Sequence, residues 1–512
     1  MLQTEVRDAR PDRLIPQTIA RFAPILLLFG LGIATRLPFQ AELVQEWDAG
    51  NFALAVENYN LQLEQPHRPG TFLIYVSLAR CLNMVLDNPT ASLTMVSVIA
   101  SGIAAAALYT IGTLWFNARV GWATALLMLA SPLVWFYGEM PLSYMPEFCT
   151  VTLIVLAAYF TGLGERTALP FLGMLMGLAG GIRPNTPIFL LPLALFAVVR
   201  GLQTRRFKVP HVLAAVAIGV AALAVWLIPL LIIAGGPVTY WEMIQGWMRG
   251  HVDDATTLIE VLDNVIFFLK TVVFVVGVAA LPMLGLFWQN GSAFIRRLNR
   301  DWRCQAIALW LFPGVMYFTF VHLQRQGHTF TVMPAFLLLA GLAIVGLGDR
   351  LEKQYRHAGL LVVAAIVSVN ALFFLLAPSS IRSLHSIQAF DTKFTERIEF
   401  VRANFPPEST AVLAQKHYGR LPDVHLPEFQ FRHLSRLVER QPIVLPKQVR
   451  TLVLLDNKIY RKPGQDEGFE KLSLPSGSTI RYRTWSENQH LEVTKFTSKL
   501  VPGQPTQPDS PS

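Results

Sequence analysis

The sequence predicts an all-α polytopic membrane protein of about eleven transmembrane helices, followed by a small soluble α/β domain. Three observations predict it. Of 512 residues, 53% are hydrophobic and only 15% charged, against about 25% charged in ordinary globular chains, and the mean hydropathy is +0.42. The apolar residues gather in runs close to the roughly 20 residues that cross a bilayer. The 43 Lys and Arg, which exceed the 34 Asp and Glu to leave a net charge of +9, lie between those runs, where membrane topology rather than nucleic acid explains them. The only cysteines, Cys81, Cys149 and Cys304, all sit in apolar stretches. They build neither a disulfide framework nor a zinc site.

Residues 1–19 are polar, with Arg7, Arg10 and Arg13, and form a cytoplasmic segment. The first apolar run starts near Phe22 and leads into Arg36-Leu37-Pro38 with no small-residue cleavage pattern, so it reads as an uncleaved anchor. The expected spans are 20–39, 91–116, 120–138, 147–163, 168–183, 184–200, 211–234, 265–288, 304–322, 329–348 and 358–378. Arg183-Pro184, Pro187 and Pro192 interrupt 168–200. That stretch is either two short spans or a broken helix with a re-entrant piece. With eleven spans, the N-terminus, Arg119, Arg166 and the clusters around Arg205, Arg300 and Lys353 share one side. The positive-inside rule makes that side cytoplasmic and puts the C-terminus outside. Residues 71–86 are apolar but short, and a span there would invert every later loop. They are expected as a juxtamembrane or re-entrant helix, the alternative being a true span with 168–200 fused.

Residues 379–500 carry charge throughout, with a helical pattern at 390–404 and strand-like runs at 410–415, 450–456, 479–485 and 490–497. Residues 501–512 (VPGQPTQPDSPS) have the composition of a disordered tail. His417, His425 and His433 fit no standard metal spacing and read as surface residues.

Candidate chemistry lies in the outer loops. The first, residues 40–90, is too long for a mere connector. It opens a helix at Glu46-Trp47-Asp48 whose apolar face (Phe52, Ala55, Val56, Tyr59, Leu63) suits lying on the bilayer, with Trp47 at the interface. Asp48 reads as the helix N-cap, as a carboxylate at a cavity mouth that acts as general base, or as both together. His67 and Arg68 stand before Pro69-Gly70, held by the tight turn. Arg68 suits a phosphate or a lipid headgroup. Glu139, in an aromatic and apolar segment, needs an Arg partner, a watery cavity or a proton. His322, Arg325 and His328 share one short turn suited to an anion or plain solvation. Arg183 ends a helix beside Pro184, where it either binds an anion or snorkels. No P-loop, dinucleotide fingerprint, zincin or nucleophile-elbow motif occurs.

Across residues 20–378 the order of features resembles the GT-C superfamily of integral-membrane glycosyltransferases, and within it bacterial relatives of protein O-mannosyltransferases and aminoarabinose transferases. The shared features are the first-loop acid opening a helix, the turn His67-Arg68-Pro69-Gly70, the helix pair around Asn117-Ala118-Arg119, the acid Glu139, and the turn Gly327-His328 leading to Met333-Pro334. The resemblance implies that Asp48 is the catalytic residue, and that His67 or Arg68 binds the lipid phosphate. It also implies that 71–86 does not cross. Where many relatives have an Asp-Glu pair with an Arg soon after, Asp48 is followed by Ala49, Gly50 and Asn51.

The expected activity is therefore inverting transfer of a hexose or pentose from a polyprenyl-phosphate-linked donor to an acceptor hydroxyl on the extracytoplasmic face. Asp48 is the base, with Glu139 as a second catalytic acid. His67, Arg68, Arg183, His322, Arg325 and His328 are the substrate-binding set. The expected partners are that donor, a glycan, lipid or protein acceptor and the bilayer, with no nucleic acid. No cofactor or metal site is expected, and a divalent cation is left open. The expected location is the bacterial inner membrane. The rivals are a transporter or flippase of a lipid-linked substrate and a non-catalytic membrane subunit. Against transport, Lys270 is nearly the only charge well inside a span.

Overall fold

In hydrocarbon a backbone must satisfy its own N–H and C=O groups, which a helix does within one segment. The chain is accordingly helical, with short breaks, from Leu14 to Asn404. The computed structural model describes residues 14–67, 72–251, 257–298, 300–321, 323, 325–429, 443–445, 447–456, 468–486, 489–493 and 498–502. The helices are α1 (Leu14–Ala34), α2 (Trp47–Glu57), α3 (Leu73–Leu86), α4 (Pro89–Trp115), α5 (Ala118–Ala130), α6 (Pro132–Gly138) and α7 (Tyr144–Gly162). They continue with α8 (Ala168–Ile182), α9 (Asn185–Gln203), α10 (Val209–Ile233), α11 (Pro237–His251), α12 (Leu258–Val276) and α13 (Ala280–Leu298). The last are α14 (Trp302–Phe320), α15 (Met333–Glu352), α16 (Ala358–Leu376), α17 (Leu384–Asn404) and the short α18 (Leu421–His425).

Among the described residues eight helices are long and apolar enough to cross a membrane, nine if α5 and α6, bent by 62°, form one span. These nine coincide with nine of the eleven expected runs. The other two fall short. α8 has 15 residues, and α14 contains Arg303, Gln305 and Pro313. The 71–86 run is a helix of only 14 residues, too short to cross unaided. The 265–288 run is broken at Gly277, whose φ of +60° suits glycine. There Asn370 accepts from the Val278 N–H (3.0 Å) and donates to the Val276 carbonyl (3.0 Å), so the freed backbone groups are met inside the bundle.

The chain forms two compact units, residues 1–40, 68–85 and 92–385 in the first, and 41–67, 86–91 and 386–512 in the second. In the second unit β1 (Thr410–Leu413), β3 (Thr451–Leu454), β5 (Thr479–Thr484) and β4 (Glu470–Ser473) form one sheet in the order β1-β3-β5-β4, with β1 and β3 parallel. β2 (Ile443–Val444), β6 (Gln489–Val493) and β7 (Ser498–Pro502) form another. The core comprises Ala411, Leu413, Leu452, Leu454, Trp485 and Leu491. All four expected strands are present. β2, β4 and β7 escaped prediction, since β2 spans two residues and β4 is almost wholly exposed. β7 reaches Pro502, two residues into the expected tail, and the rest of that tail lies outside the described residues.

Of the long 40–90 loop, residues 41–67 and 86–91 belong to this second unit. Asp391 on α17 accepts from the backbone N–H groups of Glu42 (2.9 Å) and Leu43 (3.3 Å), and from the Gln45 amide (3.2 Å). The Val44 N–H donates to His425 Nε2 at 3.2 Å. α2 buries Phe52, Ala55 and Val56 within the protein and packs on α18, which corrects the expectation that this face lies on the bilayer. Gly50 lets the Arg420 stem come close, since a Cβ there would lie 2.3 Å from Arg420 Cβ. The Arg420 guanidinium sits 4.9 Å from the half-buried Trp47 ring. Nor is His425 the surface residue expected. His417 is exposed and His433 lies outside the described residues.

Burial pushes the Asp391 carboxyl up from 3.8 to about 6. Burial, helped by nearby Arg402, pushes the His425 imidazole down from 6.5 to about 4. The Asp391 contribution to stability is present below pH 3.8 and lost as pH rises through about 6. The His425 contribution is present above pH 6.5 and lost as pH falls through about 4. Each is worth about 3 kcal/mol at roughly 1.4 kcal/mol per unit, and they oppose each other. Loop attachment in the wild type is thus expected to change little between pH 4 and 6.5. Asp391→Asn should lose about 3 kcal/mol as pH falls across that window, whereas His425→Gln should gain. Hydrogen exchange at the amides of residues 42–44 reads the difference. A wild-type slope as steep as that of Asp391→Asn would refute the opposition.

Candidate active site

In the second unit, α2 begins at Trp47 with Glu46 at the N-cap position, where it makes no side-chain capping bond. Asp48 is thus not the N-cap. It occupies the second helical position, where the helix dipole favours a carboxylate. A turn folds the chain back over this end of α2. Asn60 and Gln65 exchange backbone bonds of 2.6 and 2.9 Å, while the Asn60 side chain accepts from the Gln62 (3.0 Å) and Leu63 (3.3 Å) amides. The next residues bring His67 to Asp48, with Nδ1 3.9 Å from Oδ1. The imidazole meets Phe52 edge-on at 5.5 Å. Both side chains remain about one-fifth exposed, so the carboxylate is reachable. The described contact of His67 is therefore with the acid. Arg68 lies outside the described residues.

In the first unit, Arg183 stands in extended conformation at the break between α8 and α9. Its Nε lies 3.1 Å from Oε2 of Glu147, in the first turn of α7, and its Nη1 is 3.4 Å from the Ser143 hydroxyl. Oε1 of Glu147 accepts from the hydroxyls of Thr186 (2.9 Å) and Thr331 (2.8 Å). Glu147 is almost wholly buried, and a carboxylate there is tolerable because it is both paired and hydrogen-bonded. The guanidinium lies 4.7 Å from the Tyr144 ring, and His328 approaches that same ring at 6.0 Å. Arg325 precedes the short turn Gln326–Thr331 that carries His328 and Thr331. Gly327 sits flat on Tyr144, where a Cβ would come within 2.6 Å of the ring. The structure thus gathers Arg183 and His328 about one tyrosine, with Arg325 in the adjoining turn. His322 lies outside the described residues.

Glu139 is placed apart from this cluster. It is fully buried and accepts from Trp135 Nε1 at 2.6 Å. Arg36, itself buried, acts on it electrostatically and lies 4.7 Å over the Trp135 ring. Trp135 thus supplies a hydrogen bond to Glu139 and Arg36 a nearby positive charge. Glu147 is the acid that sequence reasoning missed. Its signal was present: a carboxylate in the first turn of an apolar helix has the same need for a partner as Glu139. Among the described residues no group of three or more His, Cys, Asp or Glu could hold a metal ion.

Residues 72–228 match the family described as dolichyl-phosphate-mannose-protein mannosyltransferase. No curated protein matches the sequence. Among solved structures, ArnT from Cupriavidus metallidurans bound to undecaprenyl phosphate aligns over 92% of this chain and 99% of its own, with 14% identity and a TM-score of 0.54. The apo state of the same protein aligns over 90% and 98%, at 13% identity and 0.56. An oligosaccharyltransferase from Archaeoglobus fulgidus covers 90% of this chain and 73% of its own, at 12% identity and 0.48. The fold is that of the GT-C glycosyltransferases. Both the bundle and the C-terminal unit take part in the ArnT alignment, since nearly the whole of each chain is covered. The resemblance read from the outer-loop motifs therefore extends to the fold, and over 72–228 to the sequence.

Proposed function

We propose that this GT-C chain transfers a sugar from a polyprenyl-phosphate-linked donor to an acceptor hydroxyl at the extracytoplasmic face. The observation that carries the reading is Asp48: an accessible first-loop carboxylate beside His67, on a fold whose solved relative binds undecaprenyl phosphate. The acceptor oxygen attacks the anomeric carbon while Asp48 takes its proton. The bond from that carbon to the carrier phosphate breaks, and the phosphate leaves with the electron pair. A single displacement inverts the anomeric centre. Arg183, Arg325 and His328 are assigned to the phosphate, where fixed donors stabilise the charge that develops on departure. Glu147 orients Arg183, leaving part of its donor fork for the ligand.

The test is purified protein with a radiolabelled polyprenyl-phosphate sugar and an acceptor. Transfer should release the free carrier phosphate and a glycosylated acceptor in equal amounts. Movement of the labelled lipid across vesicles with no new glycosidic bond would favour the transporter instead.

Orientation is part of the proposal. Reporter fusions after Arg205, Arg300 and Lys353 should report the cytoplasm, and fusions after Gln65, Gly250 and Ser380 the outside. A cytoplasmic signal after Gln65 would put Asp48 on the wrong face for a donor presented outside.

A further inference from the structure

The first unit contains a second feature that the transfer reaction does not use. A cavity of about 530 Å³ opens between α13, α15 and α16, within the range of about 300–1,000 Å³ typical of small-molecule sites. Its wall is apolar, with Leu281, Gly285, Gly346 and Ile366 among the lining residues, and Gln289 and Arg350 supply the polar end. Gly285 and Gly346 leave it open, for a Cβ at either would meet nothing within 4 Å. Leu281, at the rim, is 73% exposed.

The charge at the polar end is uncompensated. Arg350 is exposed and has no ion-pair partner among the described residues. Its acidic neighbours are taken, because Arg119 pairs with both Asp349 (2.9 Å) and Glu352 (3.1 Å). An apolar slot ending in a free guanidinium within a membrane bundle matches an anionic lipid, with its chain in the slot and its phosphate at the arginine.

We propose that this groove holds one anionic phospholipid, distinct from the sugar donor. The length of α15 separates the two sites. α15 runs from Met333, beside the Arg183 cluster, to Glu352. At 1.5 Å per residue Arg350 lies about 25 Å further along the axis, close to the roughly 30 Å thickness of the hydrocarbon. A headgroup at Arg350 thus sits near the opposite membrane surface from Arg183, where a donor phosphate bound at Arg183 does not reach.

Native mass spectrometry of the full chain in mild detergent tests this by adding back phosphatidylglycerol, phosphatidylethanolamine or undecaprenyl phosphate. One phosphatidylglycerol should be retained in preference to phosphatidylethanolamine. Arg350→Gln should cut that preference about fivefold, the worth of one basic residue near an anionic headgroup. Gly346→Leu should abolish retention by filling the slot, and Gly285→Leu should do the same from the opposite wall. Circular dichroism melting near the wild-type temperature shows that each variant folds. Equal retention of the two phospholipids, or retention that survives both glycine variants, would overturn the proposal. So would displacement by undecaprenyl phosphate at equal concentration, which would make the groove part of the donor site.

Discussion

Asp48→Asn is expected to lower the turnover of sugar transfer by about 10²–10⁴-fold, the usual contribution of a positioned general base. The substitution keeps the side chain's shape and removes its ability to hold a proton. Its structural cost should be small. Asp48 is in the first turn of α2 and is not the cap, so the fold loses a dipole interaction of about 0.3–1 kcal/mol. Donor affinity should hold, because the phosphate contacts are assigned to other residues. Initial rates at saturating donor, with donor affinity and melting temperature measured beside them, separate these effects. Near-normal turnover in the Asn variant would reduce Asp48 to the partner of His67 and remove the base from the mechanism.

The second large effect is expected at Arg183 and Glu147. Arg183→Ala leaves Glu147 buried without its cation, and breaking one side of a buried pair costs about 3–5 kcal/mol. The same variant should weaken donor binding by about 1–3 kcal/mol, the scale of a charge-assisted hydrogen bond. Those losses are separable. Arg183→Lys keeps a cation beside Glu147 and should restore most of the stability, yet a point charge cannot replace the planar fork. Donor affinity should therefore recover only in part. Glu147→Gln keeps an acceptor for Thr186 and Thr331 but frees the guanidinium, so affinity should fall although no donor contact has been removed. Arg325→Ala, outside the buried pair, should reduce affinity with little loss of stability. Full recovery of affinity by Lys at both 183 and 325 would sink the phosphate role and leave these arginines as anchors.

Hydropathy and charge spacing were enough to locate the long apolar helices, though not α11 or α18, because membrane insertion is a property of about 20 consecutive residues. The Pro184 break with Arg183 beside it, the short helix at 71–86 and the strands β1, β3, β5 and β6 are likewise local features, and all stand where the residues put them. The acid opening α2 was legible for the same reason. The span count was not. By length and composition α8, with 15 residues, and α14, with Arg303, Gln305 and Pro313, fall below a lone span, whereas the eleven-span orientation needs both to cross.

What only the tertiary structure decided is which partner each face and each charge meets. An apolar stripe such as Phe52, Ala55 and Val56 has one pattern whether it faces lipid or protein, and here α18 covers it. Glu139 and Glu147 carry the same need for compensation, but Trp135 and Arg36 meet the first, while Arg183, Thr186 and Thr331 meet the second. His425 looks like a surface residue until the Val44 N–H is found bonded to its ring. Burial costs depend on distant groups that converge only after folding, and no local sequence pattern encodes which of them will arrive.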